Sequence, residues 1–234
     1  MTMRKPEKDR TRQLALDLPL APRFGAEDFL VSPSNESAYG MIESWPDWPA
    51  PALIVVGPRG SGKSHLAAIW AERAGARVVS GAGLALADPP ALAAAGAVLV
   101  EDADRVGRAE SQLFHLFNLL RETGGSLLLT AQSAPDQWGV ATADLLSRLR
   151  LAPMAAVSPP DDALMRAVLV KLLVARQLVV DTALVDYVAL RLDRSLDAAR
   201  RFVAALDREA LSRGRRITRA IAGDVLAAMA DDLT

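Results

Sequence analysis

Gly57-Pro58-Arg59-Gly60-Ser61-Gly62-Lys63-Ser64 fits the spacing G-x-x-x-x-G-K-[ST]. It stands between the apolar run Ala52-Leu-Ile-Val-Val56 and a helical pattern beginning His65-Leu66-Ala67-Ala68-Ile69-Trp70. Strand, glycine-rich loop and helix in that order constrain the fold more than any other stretch of the chain, because they demand a sheet with the loop at a strand end. The glycines let backbone N–H groups turn inward around an anion, and the helix N-terminus adds its dipole. Lys63 would neutralise β- and γ-phosphates, and Ser64 would offer a hydroxyl to Mg²⁺. Residues 57–65, including Pro58, Arg59, Ser61 and His65, are the expected nucleotide site of a protein that binds a nucleoside di- or triphosphate.

Much else is excluded by composition. The chain has 234 residues, of which 51% are hydrophobic, enough for a sizeable core in one large or two unequal domains. It has no cysteine, which removes disulfides, thiolate metal sites and cysteine nucleophiles. No apolar run reaches the length of a membrane span, and the polar start lacks a signal-peptide core, so the expectation is a cytoplasmic protein with no membrane partner. Net charge is −1, which gives no global basic field for nucleic acid. Arginines cluster late, from Arg191 to Arg219, interleaved with Asp193, Asp197, Asp207 and Glu209. That mixture reads as a solvated, ion-paired helix face in preference to a DNA-binding stripe.

Three segments follow one another. Residues 1–22 read as a flexible tail with one apolar island at 14–20. From 23 to 157, β-type runs at 52–56, 77–80, 97–100, 126–130 and 154–157 alternate with helical patterns at 62–74, 110–122 and 142–150. Such alternation predicts an α/β fold with a parallel sheet whose ligand sits at the carboxyl ends of the strands. Ser158-Pro159-Pro160-Asp161 breaks the pattern, and four short helices are expected over 158–234, with apolar faces such as Leu196, Ala199, Phe202, Val203 and Leu206.

A second half of the site is expected where Val98-Leu99-Val100 ends in Glu101-Asp102. One carboxylate of such a pair stands near Mg²⁺ and the other near the attacking water. Two registers are open. With Glu101 at the magnesium its longer side chain changes the metal geometry, and with Asp102 there the water-activating carboxylate is missing. Either way, fast hydrolysis by the chain itself is not expected. Thr130 or Gln132, at the end of the next strand, could touch the γ-phosphate or the water. His65 and His115 have no partner at metal-ligand spacing, and Trp45, Trp48 and Trp70 read as packing residues.

Together these features resemble the AAA+ ATPases: a P-loop parallel sheet domain followed by a small helical lid. Asp28-Phe29-Leu30-Val31-Ser32-Pro33-Ser34-Asn35 is similar to the F-x-x-F-V-x-G-x-S-N segment that opens the ATPase core of the bacterial replication initiator DnaA. Gly62-Lys63-Ser64-His65-Leu66 resembles that family's G-K-T-H-L. Leu128-Leu129-Thr130-Ala131-Gln132-Ser133-Ala134-Pro135 resembles its sensor strand, and Leu145-Leu146-Ser147-Arg148-Leu149 its L-x-S-R-F. The tail segment Gln13-Leu14-Ala15-Leu16-Asp17-Leu18-Pro19 resembles the Q-L-x-L-x-L peptides that dock on the DNA polymerase sliding clamp. An extended peptide of this kind inserts Leu14, Leu16 and Leu18 into an apolar groove, with Gln13 and Pro19 at its ends. A clamp segment joined to a DnaA-type ATPase without the DNA-reading domain is the layout of the Hda regulators.

That resemblance implies regulatory inactivation of DnaA. The partners would be DnaA and the clamp's β subunit, with DNA met indirectly through the clamp and a homo-oligomer left open. Arg148 would be an arginine finger acting in trans on DnaA-bound ATP. The residue-level alternative is a surface arginine paired with Asp144 one turn earlier. The chain's own ADP or ATP, with Mg²⁺ at Ser64 and Glu101 or Asp102, would set its shape. Leu30 and Val31 would contact the adenine, and Arg200 or Arg201 the phosphates, although the register places Phe202 nearer that point. A self-sufficient loader-type ATPase and a non-enzymatic replisome scaffold are the alternative functions.

Overall fold

The computed structural model describes residues 28–213 and 217–231. The clamp-like segment Gln13–Pro19 and the expected tail boundary at residue 22 lie outside the described residues. Strands β1 (Ala52–Val56), β2 (Arg77–Ser80), β3 (Ala97–Glu101), β4 (Ser126–Ala131) and β5 (Met154–Ala156) form one sheet in the order β2-β3-β4-β1-β5. Every pairing is parallel, with Val55 opposite Thr130 and Ala155, and Val100 opposite Leu129. The strands follow the apolar runs closely. β3 and β4 each extend one residue further, to Glu101 and Ala131, and β5 stops at Ala156 while the Val157 N–H still donates to the Val56 carbonyl at 2.7 Å.

Buried apolar residues run continuously along the central strands because both sheet faces are covered. Successive side chains point to opposite faces. Ile54, Val98, Val100, Leu127 and Leu129 pack with Leu113, Leu116 and Leu120 of α4 (Glu110–Thr123) and with Leu145 and Leu149 of α5 (Ala143–Leu151). Leu53, Val55, Leu99 and Leu128 face the other way, onto Ala38 and Ile42 of α1 (Glu36–Glu43) and Leu66, Ala67 and Trp70 of α2 (Lys63–Ala74). The tryptophans pack as expected: Trp48 stacks on Trp70 at 5.3 Å and Trp45 meets it edge-on at 6.3 Å. Neither α1 nor the five-residue α3 (Pro89–Ala93) was expected from periodicity, since one is short with Gly40 inside it and the other is mostly alanine and proline.

The remaining helices are α6 (Asp162–Ala175), α7 (Thr182–Ala189), α8 (Leu196–Arg213) and α9 (Arg219–Asp231). Asp161 and Asp181 cap α6 and α7, each accepting from a backbone N–H three residues on, at 2.7 Å. These helices close around their own core of Leu164, Leu169, Leu184, Val188, Phe202 and Ile221. Phe202 is 1% exposed there, which removes it from any ligand-sensing role.

This helical unit meets the sheet at the glycine-rich loop. The Leu196 N–H, first in α8, donates to the Gly60 carbonyl at 2.8 Å. On the far side of the junction Asp28 pairs with Lys171 of α6 at 2.7 Å, and Leu30 packs against the helical core.

Candidate functional site

The loop leaves β1 with the Gly57 N–H donating to the Ala131 carbonyl at 3.2 Å, so it starts at the carboxyl end of the neighbouring β4. Gly60 has φ +74, and a Cβ there would run into the Ser195 side chain, so both its backbone and the α8 approach require glycine. Pro58 and Arg59 are exposed at the tip, and Gly62 precedes the first helical residue, Lys63. Ser61 is buried and its Oγ has no hydrogen-bond partner. Lys63 is also buried, with Nζ donating to the carbonyls of Gly57 at 2.7 Å and Pro58 at 2.9 Å. Burial pulls its pKa down, against the opposing influence of Asp102, Asp104 and Glu101.

Since β4 lies between β1 and β3, the carboxyl end of β3 stands two strands away and faces the loop across Thr130 and Ala131. Of the Glu101-Asp102 pair, Glu101 is the acid whose carboxyl interacts with the Ser64 side chain. Burial pushes the Glu101 carboxyl above its ordinary range, while the Ser64 bond works the other way. Asp102 is exposed, with φ +50 in the left-handed region that aspartate tolerates. Its N–H donates to Thr130 Oγ1 at 3.1 Å, so the Thr130 hydroxyl oxygen fixes the acidic turn. Asp104 is a third acid. Its Oδ2 accepts from the Gln132 N–H at 3.3 Å, and its Oδ1 is buried without a partner.

These groups fit a nucleotide phosphate and Mg²⁺. The loop and helix N-terminus offer N–H groups, Lys63 a charge, and Ser64 with Glu101 one hydroxyl and one carboxylate. Magnesium is commonly held through one or two carboxylates together with substrate phosphates. Accordingly, no group of three or more His, Cys, Asp or Glu able to hold a metal by themselves exists among the described residues.

The other expected ligand contacts divide. Leu30 is half-buried at the junction between sheet and helices, and Val31 is exposed. Asn35 pins this segment, its side chain donating to the Leu30 carbonyl at 3.0 Å and accepting from the Ser32 N–H at 2.9 Å. His65 is buried, edge-on to Phe29 at 5.2 Å, a packing residue of α2. Arg201 pairs with Asp197 at 3.5 Å and borders a shallow groove between α8 and α9. Arg200 instead lies one turn after Leu196, the residue that touches Gly60, and is partly buried, which lowers its pKa. Helix periodicity puts Arg200 on the Leu196 side of α8, with Arg201 one step round it.

Arg148 is half-buried on α5 and has no ion pair among the described residues, Asp144 included. Its guanidinium lies over the Phe114 ring at 4.9 Å, and Nη1 is buried with no hydrogen-bond partner. Leaving a buried donor unsatisfied costs on the order of 1–3 kcal/mol, and more when the group is charged. Glu110, one helical turn before Phe114, holds the start of α5: its carboxylate accepts from the N–H groups of Ala141 and Thr142 and from Thr142 Oγ1, at 2.8 to 3.1 Å. Two contacts from α4 therefore fix the helix that carries Arg148. Neither was visible in the sequence, because the partners lie about thirty residues apart.

The same bonds hold the Glu110 carboxyl below its ordinary range, with those to the two backbone N–H groups leading. A depressed folded pKa gives stability that is present above the unfolded value and lost as pH falls through the folded one. Glu110→Gln is thus expected to lower stability at neutral pH, and the gap to wild type should close in acid. Urea unfolding across that range checks this, and a gap independent of pH counts against the latch.

No protein-family model matches the sequence, and no curated protein matches it either. Solved structures do. The fold is similar to domain III of the Thermotoga maritima replication initiation protein DnaA, with TM-score 0.75 and 21% identity over 90% of this chain and 98% of that one. AMPPCP-bound DnaA from Aquifex aeolicus superposes with TM-score 0.67 and 20% identity, covering 83% of this chain and 68% of that longer one. The Thermotoga maritima RuvB Holliday junction branch migration motor gives TM-score 0.59 and 16% identity, over 76% and 61% of the two chains. The fold is that of an AAA+ domain like DnaA domain III, a P-loop parallel sheet followed by a helical lid. Among the described residues no helix is long and apolar enough to cross a membrane.

Proposed function

We propose that this chain is a DnaA-related AAA+ regulator of the Hda type. It binds an adenine nucleotide, docks on the DNA-loaded sliding clamp and stimulates ATP hydrolysis by DnaA, which limits re-initiation of replication. The observation that carries this reading is Arg148, a guanidinium held in place by Phe114 yet given no acid to pair with. Polar groups left unsatisfied in a native fold ask for an explanation, and a charge reserved for a neighbour's γ-phosphate supplies one. AMPPCP on a structural neighbour supports the choice of adenine nucleotide.

The chain's own residues would then act as follows. The loop and Lys63 bind phosphate, and Ser64 with Glu101 holds Mg²⁺, which supplies charge neutralisation there. Leu30 and Val31 meet the base at the junction with the lid. Because Leu196 is bonded to Gly60, a change in the loop's shape reaches α8 directly. Nucleotide therefore sets the lid angle and the face offered to DnaA, while Arg148 stabilises charge on the partner's ATP. Asp102 would be the water-activating acid, but it is anchored by its backbone N–H to Thr130 and its side chain is exposed. Slow hydrolysis by the chain itself follows.

The docking part is tested by Gln13→Ala combined with Leu14→Ala. The double variant is expected to lose clamp binding in a pull-down or surface-plasmon measurement while nucleotide affinity stays unchanged. Stimulation of DnaA should disappear with it. If the variant binds the clamp as wild type does, the tail segment is not the docking peptide.

A further inference from the structure

We propose that the lid carries a direct contact for the phosphodiester backbone of DNA, built from Arg191, Tyr187 and Arg219. The Arg191 guanidinium lies 3.9 Å from the centre of the Tyr187 ring and that of Arg219, from α9, lies 4.2 Å from it. One ring face has room for one guanidinium at such a distance, so the tyrosine is clasped from both sides. Arg191 is fixed further by donating from Nη1 to the Tyr187 carbonyl at 3.0 Å. Stacked on a ring, a guanidinium keeps its N–H edge free for a forked bond to an anion.

The interleaved charges of the lid divide clearly. Arg166, Arg176, Arg194 and Arg201 each pair with an aspartate. Arg191 and Arg219 have no ion pair among the described residues, and both are exposed. Within the late arginine cluster Arg194 and Arg201 are thus ion-paired, whereas Arg191 and Arg219 are held together on one ring. Two like charges held on opposite faces of one ring repel, and an anionic backbone that offers a phosphate to each relieves the repulsion.

Backbone is favoured over base contact because both faces of the only aromatic ring in the cluster are already covered, which removes the platform that base stacking needs. The contact is consequently indifferent to sequence and sensitive to salt. It is favoured over an acidic peptide because a duplex presents its phosphates in a fixed array, whereas a peptide must be ordered to place two carboxylates. This inference goes beyond the reading above, in which DNA is met only through the clamp, and it does not depend on Arg148 or on DnaA.

The test is fluorescence anisotropy of a labelled duplex titrated with the full chain at low salt, without clamp. Wild type should bind weakly and without sequence preference. Two phosphate contacts predict a slope of log affinity against log salt of about −1.8. Arg191→Glu with Arg219→Glu is expected to weaken binding at least 10-fold and to flatten the slope. Tyr187→Leu should weaken it as well, whereas Tyr187→Phe, which keeps the ring, should restore it. Unfolding midpoints and nucleotide affinity serve as controls for folding. Equal binding by wild type and the charge-reversed variant overturns the proposal. So does tighter binding to a poly-glutamate peptide of equal charge, which assigns the stack to an acidic protein instead.

Discussion

Replacing Arg148 with alanine is expected to reduce the clamp-dependent stimulation of DnaA hydrolysis by about 10³-fold, the lower end of what an arginine finger supplies. Clamp binding and nucleotide affinity should not change, because among the described residues Arg148 makes no ion pair and its guanidinium lies over Phe114. Removing it gives up the Phe114 contact but also a buried donor without a partner, so the net change in stability should be small. Loss of rate without loss of fold is the signature of a group used in the transition state. Lysine is expected not to rescue, since a point charge reproduces neither the ring stacking nor the planar fork. Full stimulation by Arg148→Ala would leave the Phe114 contact as mere surface packing.

Lys63→Ala is expected to weaken the chain's own nucleotide binding by about 10²–10³-fold, the range for truncating one partner of a buried charge pair. The fold should survive, because among the described residues Lys63 bonds only the carbonyls of its own loop, Gly57 and Pro58. Stimulation of DnaA should fall as well, though less than in Arg148→Ala. The path is the Gly60–Leu196 bond, through which an ordered loop seats α8. Calorimetric titration with ADP and ATP measures the first effect, and the hydrolysis assay the second. Unchanged nucleotide affinity would remove Lys63 from the site.

Local structure was the part of this molecule that the sequence made legible. The glycine-rich loop between β1 and α2, the acids after β3 and the alternation of strand and helix depend on residues near one another in the chain, so spacing alone places them. Contacts between distant elements were not legible. That Glu101 and not Asp102 meets Ser64 depends on how β3, β4 and β1 are ordered, and no local pattern encodes that order. Asp104 was passed over although it stands only three residues after Glu101. Its importance lies in Gln132, reached across adjacent strand ends. Arg200 and Arg201 are neighbours in sequence but project about 100° apart on a helix, and the approach of Leu196 to Gly60 was not visible in the local pattern. The pairing of Arg148 with Asp144, reasonable from their four-residue spacing, is absent because Phe114 claims the guanidinium.

Fixing the helix that carries Arg148 and withholding an acid from that arginine make sense if the chemistry occurs on another protein's ATP. Labelled ATP distinguishes the two sites. In a single-turnover experiment the label is loaded either on DnaA or on this chain, and the clamp, loaded on DNA, is then added with the other protein. Loss of label from DnaA that depends on this chain, with little loss from the chain's own site, is the predicted result. Rapid hydrolysis of the chain's own ATP, with DnaA-bound ATP turning over no faster than alone, would contradict it.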